Sequence, residues 1–357
     1  MKRWKTAFSW LAFFSLAIRA PAGWVVEGTL TYENHFLPPR PVEKREFSFR
    51  VVSDGCRSLI RTVRVDAGNQ VEAFIEPNQI RTFYRIPRVI GPAGQTNVQT
   101  AEIAHREVPR DDASNVGYLW LAYGSACYFD TRTNYRLAPL WIQDDPALEE
   151  SAFTMPAEWV RIESERLPRQ VLYLNDGLKR VQRGGVSVVE PWPPPYDRGF
   201  KHAVYEATEG TNLNGFFIPT TWSFTRHGLR PGGSGGLKPG IVTHTEVRAA
   251  TVTDGSGAVF STPGYTGVVS MVDYRFASSS PPVPQIWYRA TNGVWPDESE
   301  AARAYRNQVR MREKLTASGE AAQVPSRRRW AALTLLALAA IGPVIYMTYR
   351  AVRKRVG

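Results

Sequence analysis

The chain has 357 residues and a formal net charge of +11, from 44 Lys and Arg against 33 Asp and Glu. The whole excess lies at the two ends: residues 1–22 hold Lys2, Arg3, Lys5 and Arg19, and residues 327–357 hold Arg327, Arg328, Arg329, Arg350, Arg353, Lys354 and Arg355, with no acid in either. The stretch between them is balanced, so the basic character predicts no nucleic-acid partner and reads instead as export and membrane anchoring.

The N-terminus has the plan of a secretory signal peptide over 1–22. A basic start precedes the apolar run from Ala7 to Ile18, and Ala20 and Ala22 place small residues ahead of a cleavage before Gly23. Arg19 ends the run after about a dozen residues, which is short for an uncleaved anchor. No cysteine follows the run, so no lipid-modified N-terminus is expected.

The segment 23–290 is expected to be one extracytoplasmic β-rich domain. Phe47–Val51, Leu59–Val65, Val71–Ile75 and Ile80–Ile86 alternate apolar and polar residues, as half-buried strands do. Asp54-Gly55, Ala67-Gly68-Asn69 and Pro77-Asn78 separate them as tight turns, which predicts an antiparallel meander. Residues 115–129 (with Tyr118, Trp120, Tyr123 and Tyr128) read as a helix or loop that covers one end of the sheet. Further strands are expected at 159–162, 171–174, 186–189, 202–207, 216–224, 241–252 and 268–276. The stretches 191–195, 230–240 and 278–284 read as loops. So many short strands imply a curved meander or half-barrel, with a β-sandwich as the alternative.

Residues 297–315 predict a helix: Asp297 can cap it, acids crowd its first turn, and Arg310, Arg312 and Lys314 its last. With the polar linker to Ser326 it makes a stalk over 291–326. Trp330 to Tyr349 then gives 20 residues without a charge, enough to cross a bilayer core, with Trp330, Tyr346 and Tyr349 near the interfaces. The basic residues flanking this span are nearly balanced, so the signal peptide sets the orientation. The bulk is expected outside the cell (inner) membrane as a single-pass protein, with 350–357 as a basic cytoplasmic tail.

Motifs for chemistry are weak. Gly232-Gly233-Ser234-Gly235-Gly236 matches a nucleophile pattern but lacks the strand-to-helix elbow that activates the serine, and reads as a loop. His35, His105, His202, His227 and His244 include no pair at helical ligand spacing. His244 and Glu246 share a strand face, which a solvated sheet explains. Asp111-Asp112 and Asp144-Asp145 read as surface loops, and no P-loop or dinucleotide fingerprint occurs. No catalytic, cofactor or metal residue is assigned. Cys56 and Cys127 are the two cysteines, either a disulfide in an oxidising compartment or two buried thiols.

An exported antiparallel meander with few helical insertions resembles the outer-membrane lipoprotein carrier and lipoprotein-sorting superfamily. The resemblance spans roughly residues 24–276. Glu46–Ile86 looks like that family's early hairpins. Gly215-Phe216-Phe217-Ile218-Pro219, leading into Trp222-Ser223-Phe224, looks like its later glycine, apolar, proline, strand segment. The resemblance implies an unclosed β-barrel around an apolar cavity, and no functional residue carries over. The family's known carriers are soluble, whereas this chain has a predicted anchor of its own.

A curved sheet would then present Phe47, Phe49, Phe74, Tyr84, Trp222 and Phe224 to an acyl chain; the plainer reading is that these side chains fill a core. The leading functional expectation is a membrane-anchored extracytoplasmic binding or carrier-like domain for a lipid or another apolar envelope component. The alternative is a structural or interaction subunit of an envelope complex. A hydrolase stands third.

Overall fold

The computed structural model describes residues 23–131 and 150–317, apart from 38, 91–93, 105–108, 110–113, 153–156, 161–165, 176, 184–185, 232–235, 256 and 277–284. The predicted signal peptide, membrane span, tail, Ser234, His105 and both paired-acid loops lie outside the described residues. Among those described, the first of two compact units runs to Arg275 and includes Trp287–Val294.

This first unit is mainly β. Six strands follow one another as antiparallel neighbours: β1 (Trp24–Asn34), β2 (Glu43–Ser53), β3 (Ser58–Arg64), β4 (Gln70–Glu76), β5 (Gln79–Ile90) and β6 (Gly94–Ala104). Two short helices come next, α1 (Val116–Tyr123) and α2 (Ala126–Thr131). The second series is β7 (Glu150–Ala152), β8 (Ala157–Val160), β9 (Gln170–Leu174), β10 (Leu178–Arg183), β11 (Val186–Pro191), β12 (Lys201–Leu213), β13 (Phe216–Pro231), β14 (Leu237–Asp254), β15 (Val268–Asp273) and β16 (Ile286–Thr291).

Thirteen of these strands form one curved, unclosed sheet, in the order β16-β15-β6-β5-β4-β3-β2-β1-β14-β13-β12-β9-β8. The single large sheet replaces the alternative of a sandwich. A separate three-stranded sheet has the order β11-β10-β7. The long strands β12, β13 and β14 return the chain to its start, where β14 pairs with β1 along its length from Trp24 opposite Asp254 to Asn34 opposite Thr243. One departure from the expected antiparallel plan is β15, which pairs parallel with β6. A second is the loop expected over 230–240. Leu229 opposes Pro239 and Pro231 opposes Leu237, so most of that stretch is paired strand.

Side-chain alternation explains why these segments form this sheet. In β1, Trp24, Val26, Leu30 and Tyr32 are buried on one face, and in β2 Phe47, Phe49 and Val51 follow. Gly28 interrupts the β1 pattern for a steric reason. A Cβ there would stand 2.8 Å from Ala249 Cα and 3.0 Å from Phe49 Cε1, and the β1–β14 register shifts at that point.

The second unit includes Trp295 onward and contains α3 (Glu298–Ala317). The Asp297 carboxylate accepts the Glu300 N–H at 2.7 Å and the Ser299 hydroxyl at 2.8 Å, which caps the helix. That backbone hydrogen bond is the chief reason the Asp297 pKa is lowered. Tyr305 stacks on Phe276 with ring centroids 4.8 Å apart. Among the described residues no helix is long and apolar enough to cross a membrane.

Candidate functional site: an aromatic sheet face around a buried helix

The inward face of the sheet gathers around α1. All eight residues of this helix are buried, which suits its sequence, since Val-Gly-Tyr-Leu-Trp-Leu-Ala-Tyr is apolar around its whole circumference. It has no polar face to give to water, so it is stable only when enclosed.

Polar handles fix it in place. Trp24 Nε1 donates to the Tyr123 carbonyl at 3.1 Å, and Trp222 Nε1 donates to the Tyr123 hydroxyl at 3.0 Å. Thr62 Oγ1 donates to the Ser114 carbonyl just before the helix. Burial pushes the Tyr123 and Tyr205 hydroxyls far above their ordinary pKa, so both rings stay neutral.

A disulfide holds the following helix. Asp54 Oδ1 accepts the N–H groups of Cys56 and Arg57, and its Oδ2 accepts from the Arg57 guanidinium at 2.7 Å. Gly55 turns the chain with φ 86°, and a Cβ there would press on Ala126 Cβ at 3.1 Å. The Gly55 carbonyl accepts the Cys127 N–H at 2.9 Å, and Cys56 and Cys127 are bonded with their Cα atoms 4.9 Å apart. The sequence Asp-Gly-Cys-Arg therefore builds a compact turn that receives the start of α2.

The aromatic face itself is continuous. Tyr118 stacks on Phe224 at 4.4 Å, and Phe49 on Tyr123 at 6.1 Å. Trp222 meets Tyr123 edge-on at 6.3 Å and lies tilted against Tyr205 at 5.5 Å. Tyr173 meets Phe224 edge-on at 5.8 Å. Phe47, Phe49, Trp222 and Phe224 thus belong to one buried cluster, and Tyr84 packs at its margin, its hydroxyl donating to Glu102 at 3.1 Å. Phe74 does not join them. Val71, Ala73 and Ile75 are the β4 members of the cluster, so alternation sends Phe74 to the opposite face.

Sequence reasoning missed Trp24, Tyr173 and Tyr205, and also the polar end of this face. Arg226 lies two residues beyond Phe224 on the same side of β13. Thr243 stands opposite Arg226, and Thr245 opposite Phe224. All three are buried. His202 is the extra residue of a register shift in β12 and is 2% exposed. The period-two pattern of β13 and β14 carried this signal. Elsewhere, His244 is hydrogen-bonded to Thr225 Oγ1 at 2.9 Å and Glu246 pairs with Arg248 at 2.8 Å, so each has a surface partner.

Burial, with Arg226 and His227 nearby, lowers the His202 pKa from 6.5 to about 3. The folded state therefore refuses a proton that the unfolded chain accepts below pH 6.5. Stability from this group is complete above pH 6.5 and falls as the pH drops toward 3, by about 1.4 kcal/mol per pH unit. Denaturant titrations at pH 6.5 and pH 5 are expected to differ by about 2 kcal/mol, and His202→Gln to remove most of that difference. An unchanged slope in the variant would assign the effect to other groups.

No protein-family model matches the chain, and no curated protein matches it. Solved structures similar to it include the following two. One is a DUF1329 family protein from Desulfovibrio piger, at 11% identity and a TM-score of 0.27, covering 66% of this chain and 87% of that one. The other is a LolA superfamily protein from Nitrosomonas europaea, at 10% identity and a TM-score of 0.26, covering 66% of this chain and 86% of that one.

Proposed function

We propose that the protein is a membrane-anchored extracytoplasmic domain that binds a lipid or another apolar envelope component on the inward face of its open sheet. The observation that carries this reading is the continuous aromatic surface built from Phe49, Tyr173, Tyr205, Trp222 and Phe224, with the fully apolar α1 laid against it. A helix without a polar face occupies the place an acyl chain would take, and its departure would expose a ready apolar surface. Each buried CH₂ of such a chain contributes about 0.8 kcal/mol.

The charge-free run 330–349 between basic clusters supports the anchor, and the signal-peptide plan of 1–22 supports the orientation, with 23–326 outside and 350–357 in the cytoplasm. Reporter fusions after Ser326 and after Gly357 are expected to report opposite compartments. Equal activity at both would contradict a single span.

One observation favours a second reading. The rings of this face pack on one another and on α1, as in a filled core. A structural or interaction subunit of an envelope complex would need no more than that. The two readings part on ligand binding: saturable uptake of an acyl probe supports the first, and a folded chain indifferent to it supports the second.

A further inference from the structure

The aromatic face ends in polar groups that a plain hydrophobic core does not need. Arg226 is 6% exposed, Thr243 5%, Thr245 1% and His202 2%. The hydroxyls of Thr243 and Thr245 and both ring nitrogens of His202 have no hydrogen-bond partner among the described residues. Buried polar groups are rarely left so, because each unmet donor or acceptor forfeits its hydration without return.

The register brings these groups together. Arg226 opposes Thr243 on one side and Ala203 on the other, and His202 is the residue next to Ala203. Directly opposed residues have Cβ atoms about 5 Å apart, and Thr245 is one diagonal step away. Arg226 lies close enough to His202 to act on it electrostatically. Phe224 and Trp222 continue the same face of β13 away from this cluster. One end of the surface is thus apolar, and the other places a guanidinium beside two hydroxyls and an imidazole.

We infer that Arg226, Thr243, Thr245 and His202 form a subsite for the anionic head, carboxylate or phosphate, of a lipid whose chain lies along Phe224 and Trp222. This rests on the carrier reading and adds the chemistry of the head group. A guanidinium matches either anion with charge-assisted hydrogen bonds, and the threonine hydroxyls and one imidazole N–H supply further donors. A neutral lipid head gains no charge-assisted bond at this end.

The test compares three probes on the purified full chain: oleate, oleyl alcohol and inorganic phosphate. Oleate is expected to bind at least about tenfold tighter than the alcohol, as a charged hydrogen bond warrants. Arg226→Gln is expected to bring oleate down to the alcohol's affinity while leaving the alcohol unchanged. Thr245→Val, which keeps the shape of the side chain, should lower the preference for oleate in a chain whose circular dichroism is native, and so serves if Arg226→Gln does not fold. Equal binding of oleate and alcohol would overturn the subsite and keep the carrier reading. Binding of neither would remove the carrier reading itself. Arg226-dependent binding of phosphate as tight as oleate would overturn the lipid assignment in favour of a free anion.

Discussion

Replacing Cys127 with serine is expected to cost the fold about 4 kcal/mol. The bond closes a loop between residues 71 apart in sequence. In the chain-entropy account a loop of that size restricts the unfolded state by about this amount. The loss has a definite structural address. Cys56 sits in the Asp54–Arg57 turn, whose carboxylate and backbone are already bonded to one another. Cys127 sits in the first turn of α2, directly after the enclosed α1. Cutting the bond leaves the turn intact and removes the covalent hold on α2. Urea denaturation of Cys127→Ser, and of the wild type with reductant, should show matching losses. A loss below about 1 kcal/mol in both would mean that the packing of α1 alone holds the insert.

Trp222→Ala is expected to cost a similar amount, about 3–5 kcal/mol, through lost burial and the cavity left behind. Trp222 is 1% exposed, its indole meets Tyr123 and Tyr205, and its N–H serves the Tyr123 hydroxyl. Trp222→Phe separates the two contributions. It keeps much of the volume but leaves Tyr123 without that donor, and should cost about 1–3 kcal/mol. Thermal or urea unfolding followed by far-ultraviolet circular dichroism gives both values. If the alanine variant lost less than the phenylalanine variant, Trp222 would not be the central contact of this face.

Much of the sheet was legible as period-two alternation. β2, β3, β4 and β5, and the turns at Gly55 and Gly68, follow directly from residues such as Phe47, Phe49, Ile60 and Ile80, because apolar and polar residues alternate along most of each strand. β1 was not foreseen. Gly28 breaks its alternation where the backbone of β14 comes close, a tertiary reason that local pattern does not reveal. The pairing of β14 with β1 and the parallel contact of β15 with β6 join residues far apart in sequence, so no local signal specifies them.

Of the predicted aromatic face, Phe47, Phe49, Trp222 and Phe224 come together, and Phe74 does not. Val71, Ala73, Phe74 and Ile75 are buried on both faces of β4, so a pattern of apolar residues does not say which face is inward. The polar end was overlooked for the opposite reason: Arg226 and His202 are charged or polar residues that composition assigns to the surface, yet they are buried.

An acyl chain lying against the aromatic face, as proposed, is reported at the site by tryptophan quenching. Trp24 and Trp222 are buried against α1 and Trp120 is buried within it, and a stearate brominated along its chain quenches an indole only on contact. The full chain titrated with brominated stearate should lose fluorescence saturably, plain stearate should compete for the effect, and Trp222→Phe should reduce the quenched amplitude while binding persists. A folded chain whose buried tryptophans keep their full emission at every concentration of brominated stearate would contradict the account.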